Sequence, residues 1–193
     1  MTDTFQNYLQ STEDWFYYST IPVMIERLGR LSHLLLKAQV HNFPLSCDYL
    51  SHRLYADMMP LREQVRLACT YASDFVCYVN EQEEKVLFTK YMSNLDCQQA
   101  VTATVSWLRS VPKQCLAGHE NDIVYLKTDR VAATGEHTKR KSVAHILLSY
   151  WTMPNIEFHI TTVHNILRSL GLPIGKNDYL DGSLSLRSID KTL

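Results

Sequence analysis

Apolar residues recur at intervals of three and four along most of the chain, the spacing that puts them on one face of a helix. From about Ile21 to Val40 the row is Leu28, Leu31, Leu35 and Ala38. Pro22 suits the first turn of this helix, which does not need its N–H, and His41-Asn42-Phe43-Pro44 ends it. From Pro60 to about Asn80, the residues Leu61, Val65, Ala68, Ala72, Phe75 and Val79 step by four and three, the stripe of a bundle helix. A third helix opens at Ser93 with Asp96 three residues on, a capping-box pair in which Asp stands for the usual Glu or Gln. It turns Cys97, Val101, Thr104 and Leu108 inward and stops at Pro112.

The pattern then changes. Lys113 to Lys141 has no helical period; Ile123-Val124-Tyr125-Leu126 predicts a short strand and Thr134-Gly135 a turn. A fourth helical region runs from Ser142 to Leu170. Pro154 inside it predicts a kink or break, because proline lacks the backbone donor and crowds the preceding turn. Gly171 supplies a left-handed C′ residue and Pro173 follows it. With no internal repeat and no low-complexity linker, the reading is one domain over 1–193, with an extension at 1–20, a bundle over 21–182 and a tail at 183–193. The fold class is all-α: an antiparallel four-helix bundle with a kinked or broken last helix and a short irregular or β insertion before it.

A chain of 193 residues, 46% apolar and 20% charged, can bury a sizeable single core. Its net charge of -1 gives no general pull towards nucleic acid or acidic membranes. The basic run His137-Thr138-Lys139-Arg140-Lys141 reads as a solvated loop. Five cysteines, odd in number and without a CxxC pair, argue against a disulfide framework or structural zinc and for a reducing compartment. Cys69, Cys77 and Cys97 fall at or near apolar helix positions, where thiols pack as small hydrophobes. The polar, acidic N-terminus does not resemble a signal peptide, and no run reaches the roughly 18 apolar residues of a membrane span. Lys191-Thr192-Leu193 lacks the small residue that would begin a peroxisomal tripeptide. A cytoplasmic protein without nucleic-acid or membrane partners is expected.

Two stretches carry a family resemblance. Ser51 to Val65, SHRLYADMMPLREQV, is similar to the signature RL-x-x-DM-x-P-L-x-x-Q-V of an uncharacterised family in the DinB/YfiT-like superfamily. Pro154 to Thr162 and Ile166 to Leu180 resemble its PN-x-x-FH-x-T-T block and its IL-R-x-x-G-x-P-x-GK-x-D-[FY]-L block. Lys37, Ala38 and His41 match the end of that family's first helix. The likeness spans roughly residues 21 to 182 in the correct order. It implies a DinB/YfiT-like four-helix bundle and a tendency to form homodimers, but no assigned chemistry. The chain departs from the compact family form in its longer N-terminus, its charged Glu81-to-Lys85 connection and its longer segment around Cys115 to Asp122.

The resemblance also bears on metal. Many DinB-like relatives hold a divalent ion with three histidines, one on the second helix and an HxxxH pair on the last. Laid on that pattern, this chain has Gln64, Asn155 and His159. Amide oxygens are weak donors to transition metals, so no metal and no other cofactor is expected. Glycine-rich phosphate loops, a Ser-His-Asp order and a paired-carboxylate motif are absent too. What remains is a polar cluster facing across an apolar bundle. His159 has the residue type for general acid or base work near neutral pH. Gln64 and Asn155 are the candidate substrate-binding groups, and Asp57, three residues before Pro60, either holds the imidazole in one tautomer or caps the second helix.

Other histidines fit less well. His164 stands about 140° round the helix from His159 at ~100° per residue. His145 depends on the Pro154 kink, and His41 sits at a helix end where the dipole favours a cation. Lys176 and Asp178 read as turn formers, and the run Trp15-Phe16-Tyr17-Tyr18 as packing over one end of the bundle. The leading functional reading is a metal-free enzyme acting on a small, fairly apolar molecule by proton transfer, in an isomerisation, cyclisation, dehydration or epoxide opening. Two alternatives are a DinB-like metal-dependent transferase or hydrolase with a degenerate ligand set, and a non-catalytic binding or scaffold bundle.

Overall fold

The computed structural model describes residues 14–41, 43, 48–130 and 137–180. The four expected helices are present as α1 (Trp15–Val40), α2 (Leu61–Val79), α3 (Asn94–Ser110) and a last helix built in three parts. Those parts are α4 (Ala144–Leu147), a π-helical turn (Leu148–Thr152) and α5 (Met153–Ser169); a short α6 (Lys176–Leu180) follows. Helices α1 and α2 each lie against α3 and α5, so these two consecutive helices face one another across the bundle. Every apolar residue named in the three stripes above is buried, from Leu28 on α1 to Leu108 on α3. At about 1.5–3 kcal/mol for each large side chain taken from water, these rows are the main cohesive term. The fold is the all-α bundle that the periodicity implies.

α1 differs from its expected start. It begins at Trp15, with Pro22 two turns inside it. Phe16, Thr20 and Met24 continue the buried row upstream at intervals of four, so the aromatic run is the first turn of the helix and not a segment before it. Phe16 is fully buried with its ring edge-on to Phe75, centroids 6.1 Å apart. Packing of this kind outweighs the lost donor at Pro22, whose cost is about 3 kcal/mol in a helix interior.

Helix ends follow their sequence signals. The capping box at α3 is complete: Ser93 Oγ accepts from the Asp96 amide and the Asp96 carboxylate accepts from the Ser93 amide. At the far end of α5 the Leu172 amide donates to the Leu167 carbonyl and the Gly171 amide to Arg168, with Gly171 at φ 94°. That is a Schellman closure. The same pair of bonds closes α2, from Gln82 to Cys77 and from Glu81 to Tyr78, but here Glu81 occupies the left-handed position at φ 51°. A side chain there costs about 1 kcal/mol. Glu81→Gly is therefore expected to stabilise the protein by about 0.5–1 kcal/mol, read as a higher urea midpoint; an unchanged or lower midpoint contradicts this.

The last helix is interrupted next to Pro154, as expected, by the π-helical turn that precedes it. The turn before it widens, and the Met153 amide reaches back five residues to the Leu148 carbonyl. The wide turn makes room ahead of a ring that would crowd the carbonyl four residues back. The insertion before this helix is a two-stranded antiparallel sheet, β1 (Ile123–Arg130) and β2 (His137–Val143), in register from Ile123 opposite Val143 to Lys127 opposite Lys139. The basic run is thus in β2 and not in a loop, because it supplies the ladder that Ile123 to Leu126 needs. Cys69, Cys77 and Cys97 are buried free thiols. The N-terminal stretch before Asp14, Cys47, the Thr134-Gly135 turn and the tail at 183–193 lie outside the described residues.

Candidate functional site

The motif around Met59 builds one wall of the site. Helix α2 starts after Pro60, and its first amides would lack partners inside the helix. The carbonyl of His52 accepts from the Leu61 amide and that of Leu50 from Arg62, while Arg62 also donates to Ser51 Oγ. Arg53 donates to the Met58 carbonyl across the turn. These bonds fix the loop on the helix N-terminus and bring the Met59 carbonyl to the side chain of Gln64.

Gln64 then orients His159. Its amide nitrogen donates to the Met59 carbonyl at 3.0 Å, which leaves Oε1 facing His159 Nδ1 at 2.6 Å. The reverse amide orientation would set two oxygens against each other. A carboxamide oxygen only accepts, so Nδ1 carries the ring proton and Nε2 the lone pair. Both residues are buried. The Tyr71 ring, two turns along α2 from Gln64, stacks on the imidazole at 5.6 Å and 17°, and Phe158 meets it edge-on at 5.4 Å. Burial, with the positive charge of Arg66 adding to it, pushes the His159 pKa down to about 4. The ring is therefore neutral at physiological pH.

Of the four residues singled out in the sequence, Gln64 and His159 meet. Asn155 lies one turn before His159, half-buried, and its amide donates to the Trp151 carbonyl at 2.7 Å within the wide turn. Asp57 is exposed in the loop, closed by the Met58 amide on Tyr55, and the residue before α2 that caps it is Pro60. Gln64 performs the tautomer-fixing role considered for Asp57. Tyr71, Arg66 and the Met59 carbonyl were not singled out; Tyr71 was detectable as the residue seven after Gln64, on the same helix face.

The donor set does not fit the three-histidine metal centre that the resemblance implies. Gln64 Oε1 is engaged by His159 itself, Asn155 faces Trp151, and Arg66 places positive charge near the imidazole. Among the described residues no group of three His, Cys, Asp or Glu side chains is placed to hold an ion. Two other histidines considered above are held elsewhere. His164 Nε2 lies 3.3 Å from the Gly175 carbonyl and His145 Nδ1 lies 2.9 Å from that of Glu120. Asp178 takes the Gly175 amide at 2.7 Å and pairs with Lys37, so it shapes the turn and fastens α6 to α1. Tyr179 donates to Glu157, which also pairs with Arg27.

No helix among the described residues is long and apolar enough to cross a membrane. The family pattern described as "Domain of unknown function (DUF1993)" matches residues 16–180. A crystal structure of a DinB family member protein from Shewanella denitrificans superposes with a TM-score of 0.70 at 24% identity, covering 88% of this chain and 93% of that one. At that identity the likeness shows the fold. No curated protein matches the chain.

Proposed function

Since this chain belongs to the DUF1993 family and has a DinB-type fold, we propose that it is a small-molecule enzyme in which His159 is a metal-free general base. The observation that carries this reading is the chain of hydrogen bonds from the Met59 carbonyl through Gln64 to His159 Nδ1. A base is effective when its lone pair is fixed on one atom and the other ring nitrogen is held by a neighbour. Gln64 does that holding, and Nε2 is the atom that takes the proton.

The depressed pKa narrows the chemistry. An imidazole near 4 is unprotonated throughout the neutral range, so it stands ready to take a proton from carbon beside a carbonyl, where loss of the proton is assisted by delocalisation onto oxygen. Removing it creates an enolate. Double-bond isomerisation or cyclisation through an enolate fits these terms. Because the active form is deprotonated His159, kcat/KM is expected to rise with pH through about 4 and to be level from about 6 to 8.

The test is proton exchange with solvent. Small apolar ketones and enones are incubated with the protein in D2O, and deuterium entry at the α-carbon is followed by NMR. Wild type is expected to catalyse exchange, and folded His159→Ala and His159→Gln are expected to lose it. Exchange retained by both variants would sink the reading. A competing role, a polar pair that fixes helix register in a non-catalytic bundle, has one observation in its favour: His159 is 8% exposed. It requires that no ligand in the panel exchange or bind at His159.

A further inference from the structure

On the opposite side of α2 the structure has a cavity of about 240 Å³. Ser73, one of its lining residues, stands about 180° round the helix from Gln64 at ~100° per residue. Arg66, Ser73 and Asp74 of α2 form one wall; Glu84, Phe88 and Tyr91, from the segment joining α2 to α3, form another. This volume falls below the roughly 300–1,000 Å³ of drug-sized sites, so it suits a molecule with a single ring.

The lining charges are not equally available. Arg66 is bound to Glu63 at 2.7 Å, and the Lys85 ammonium lies over the Trp107 ring, 5.2 Å from its centre. Glu84 accepts a hydrogen bond from the Tyr78 hydroxyl at 3.0 Å. The Asp74 carboxyl makes no hydrogen bond among the described residues, although it is half-buried. Phe88 and Tyr91 meet edge to face with centroids 5.7 Å apart and give the cavity an aromatic corner. A carboxyl without a partner beside a second carboxylate and an aromatic corner is complementary to a cation that carries an apolar group.

We propose that this cavity binds a small organic ammonium ion, with Asp74 and Glu84 holding the cation and Phe88 and Tyr91 receiving its apolar part. Supporting this, burial first and Glu84 second push the Asp74 carboxyl up to about 7, with Arg66 opposing. A bound cation relieves both effects by replacing the lost hydration of the carboxylate. Glu84 and Lys85 belong to the charged connection that follows α2. The site is independent of the proposed role of His159.

The experiment titrates the full-length chain with phenethylammonium, 2-phenylethanol and phenylacetate, probes of similar size carrying positive, no and negative charge. Binding is followed by amide NMR shifts. The ammonium is expected to saturate and to move amides at 66–74 and 84–91. The alcohol should bind at least tenfold more weakly and the carboxylate more weakly still. Asp74→Asn is expected to weaken the ammonium at least tenfold, and His159→Ala to leave it unchanged. The fold of Asp74→Asn is checked by its thermal midpoint, which should rise at pH 8, where wild type carries an ionised carboxylate facing Arg66, Tyr78, Glu84 and Lys85. Equal binding of the three probes, tighter binding of phenylacetate, no saturation by the ammonium, or an unaffected Asp74→Asn would each overturn the proposal.

Discussion

Phe16→Ala is expected to cost about 3–5 kcal/mol, the range for deleting a fully buried aromatic ring. Phe16 has no exposed surface and its ring packs edge-on against Phe75 of α2, so truncation leaves a cavity between two helices. A domain of this kind has about 5–15 kcal/mol in all, and the loss would be visible as a large fall in the urea midpoint. Trp15 is the internal control. It is adjacent in sequence but 45% exposed, and Trp15→Ala should cost about 1 kcal/mol or less. Equal costs for the two substitutions would mean that the first turn of α1 is an appendage and that the bundle begins near Ile21.

The second large effect concerns the polar pair. Gln64→Leu removes the acceptor of the buried His159 Nδ1–H, and a buried donor without a partner costs about 1–3 kcal/mol. Adding His159→Leu removes the stranded donor as well, and the double variant should recover most of that loss. The cycle is therefore expected to give a coupling of about 1–3 kcal/mol between the two sites. Additive losses would show that the bond contributes nothing.

The pH dependence of stability separates the two buried groups. The folded pKa of His159, about 4, lies below the ordinary value of 6.5, so the unfolded chain binds more protons between those limits. Stability from this residue is complete above about 6.5 and is lost as pH falls towards 4. Asp74 acts in the opposite sense: its carboxyl is raised from 3.8 to about 7, and its contribution falls as pH rises through that window. Only the difference between wild type and the double Leu variant isolates the histidine.

Much of this was legible in the chain, for reasons that can be stated. Leu61 to Val79 and Cys97 to Leu108 were readable because their apolar steps of four and three fit one packed face, and all of them are buried. Ser93 and Asp96, and Gly171, declared helix ends because capping requires particular side chains or a left-handed backbone. The start of α1 was not legible because Pro22 is equally at home in a first turn, and only tertiary contact by Phe16 decides otherwise. The wide turn at Leu148 to Thr152 has no sequence signature beyond Pro154 itself. Gln64 and His159 could be paired from the family pattern. Asn155 sits four residues before His159 yet turns to the Trp151 carbonyl, an outcome of that wide turn. Asp74 lies off the apolar stripe and reads as a solvent position until the loop at 84–91 folds over it.

The most direct test of the account is a nitrogen-15 spectrum of the His159 ring at neutral pH, assigned by comparison with His159→Gln. The account requires a neutral ring with the proton on Nδ1 and a bare Nε2, unchanged on lowering the pH to about 5, and loss of the fixed tautomer in Gln64→Leu. A proton on Nε2, or an imidazolium already formed near pH 6, would contradict it.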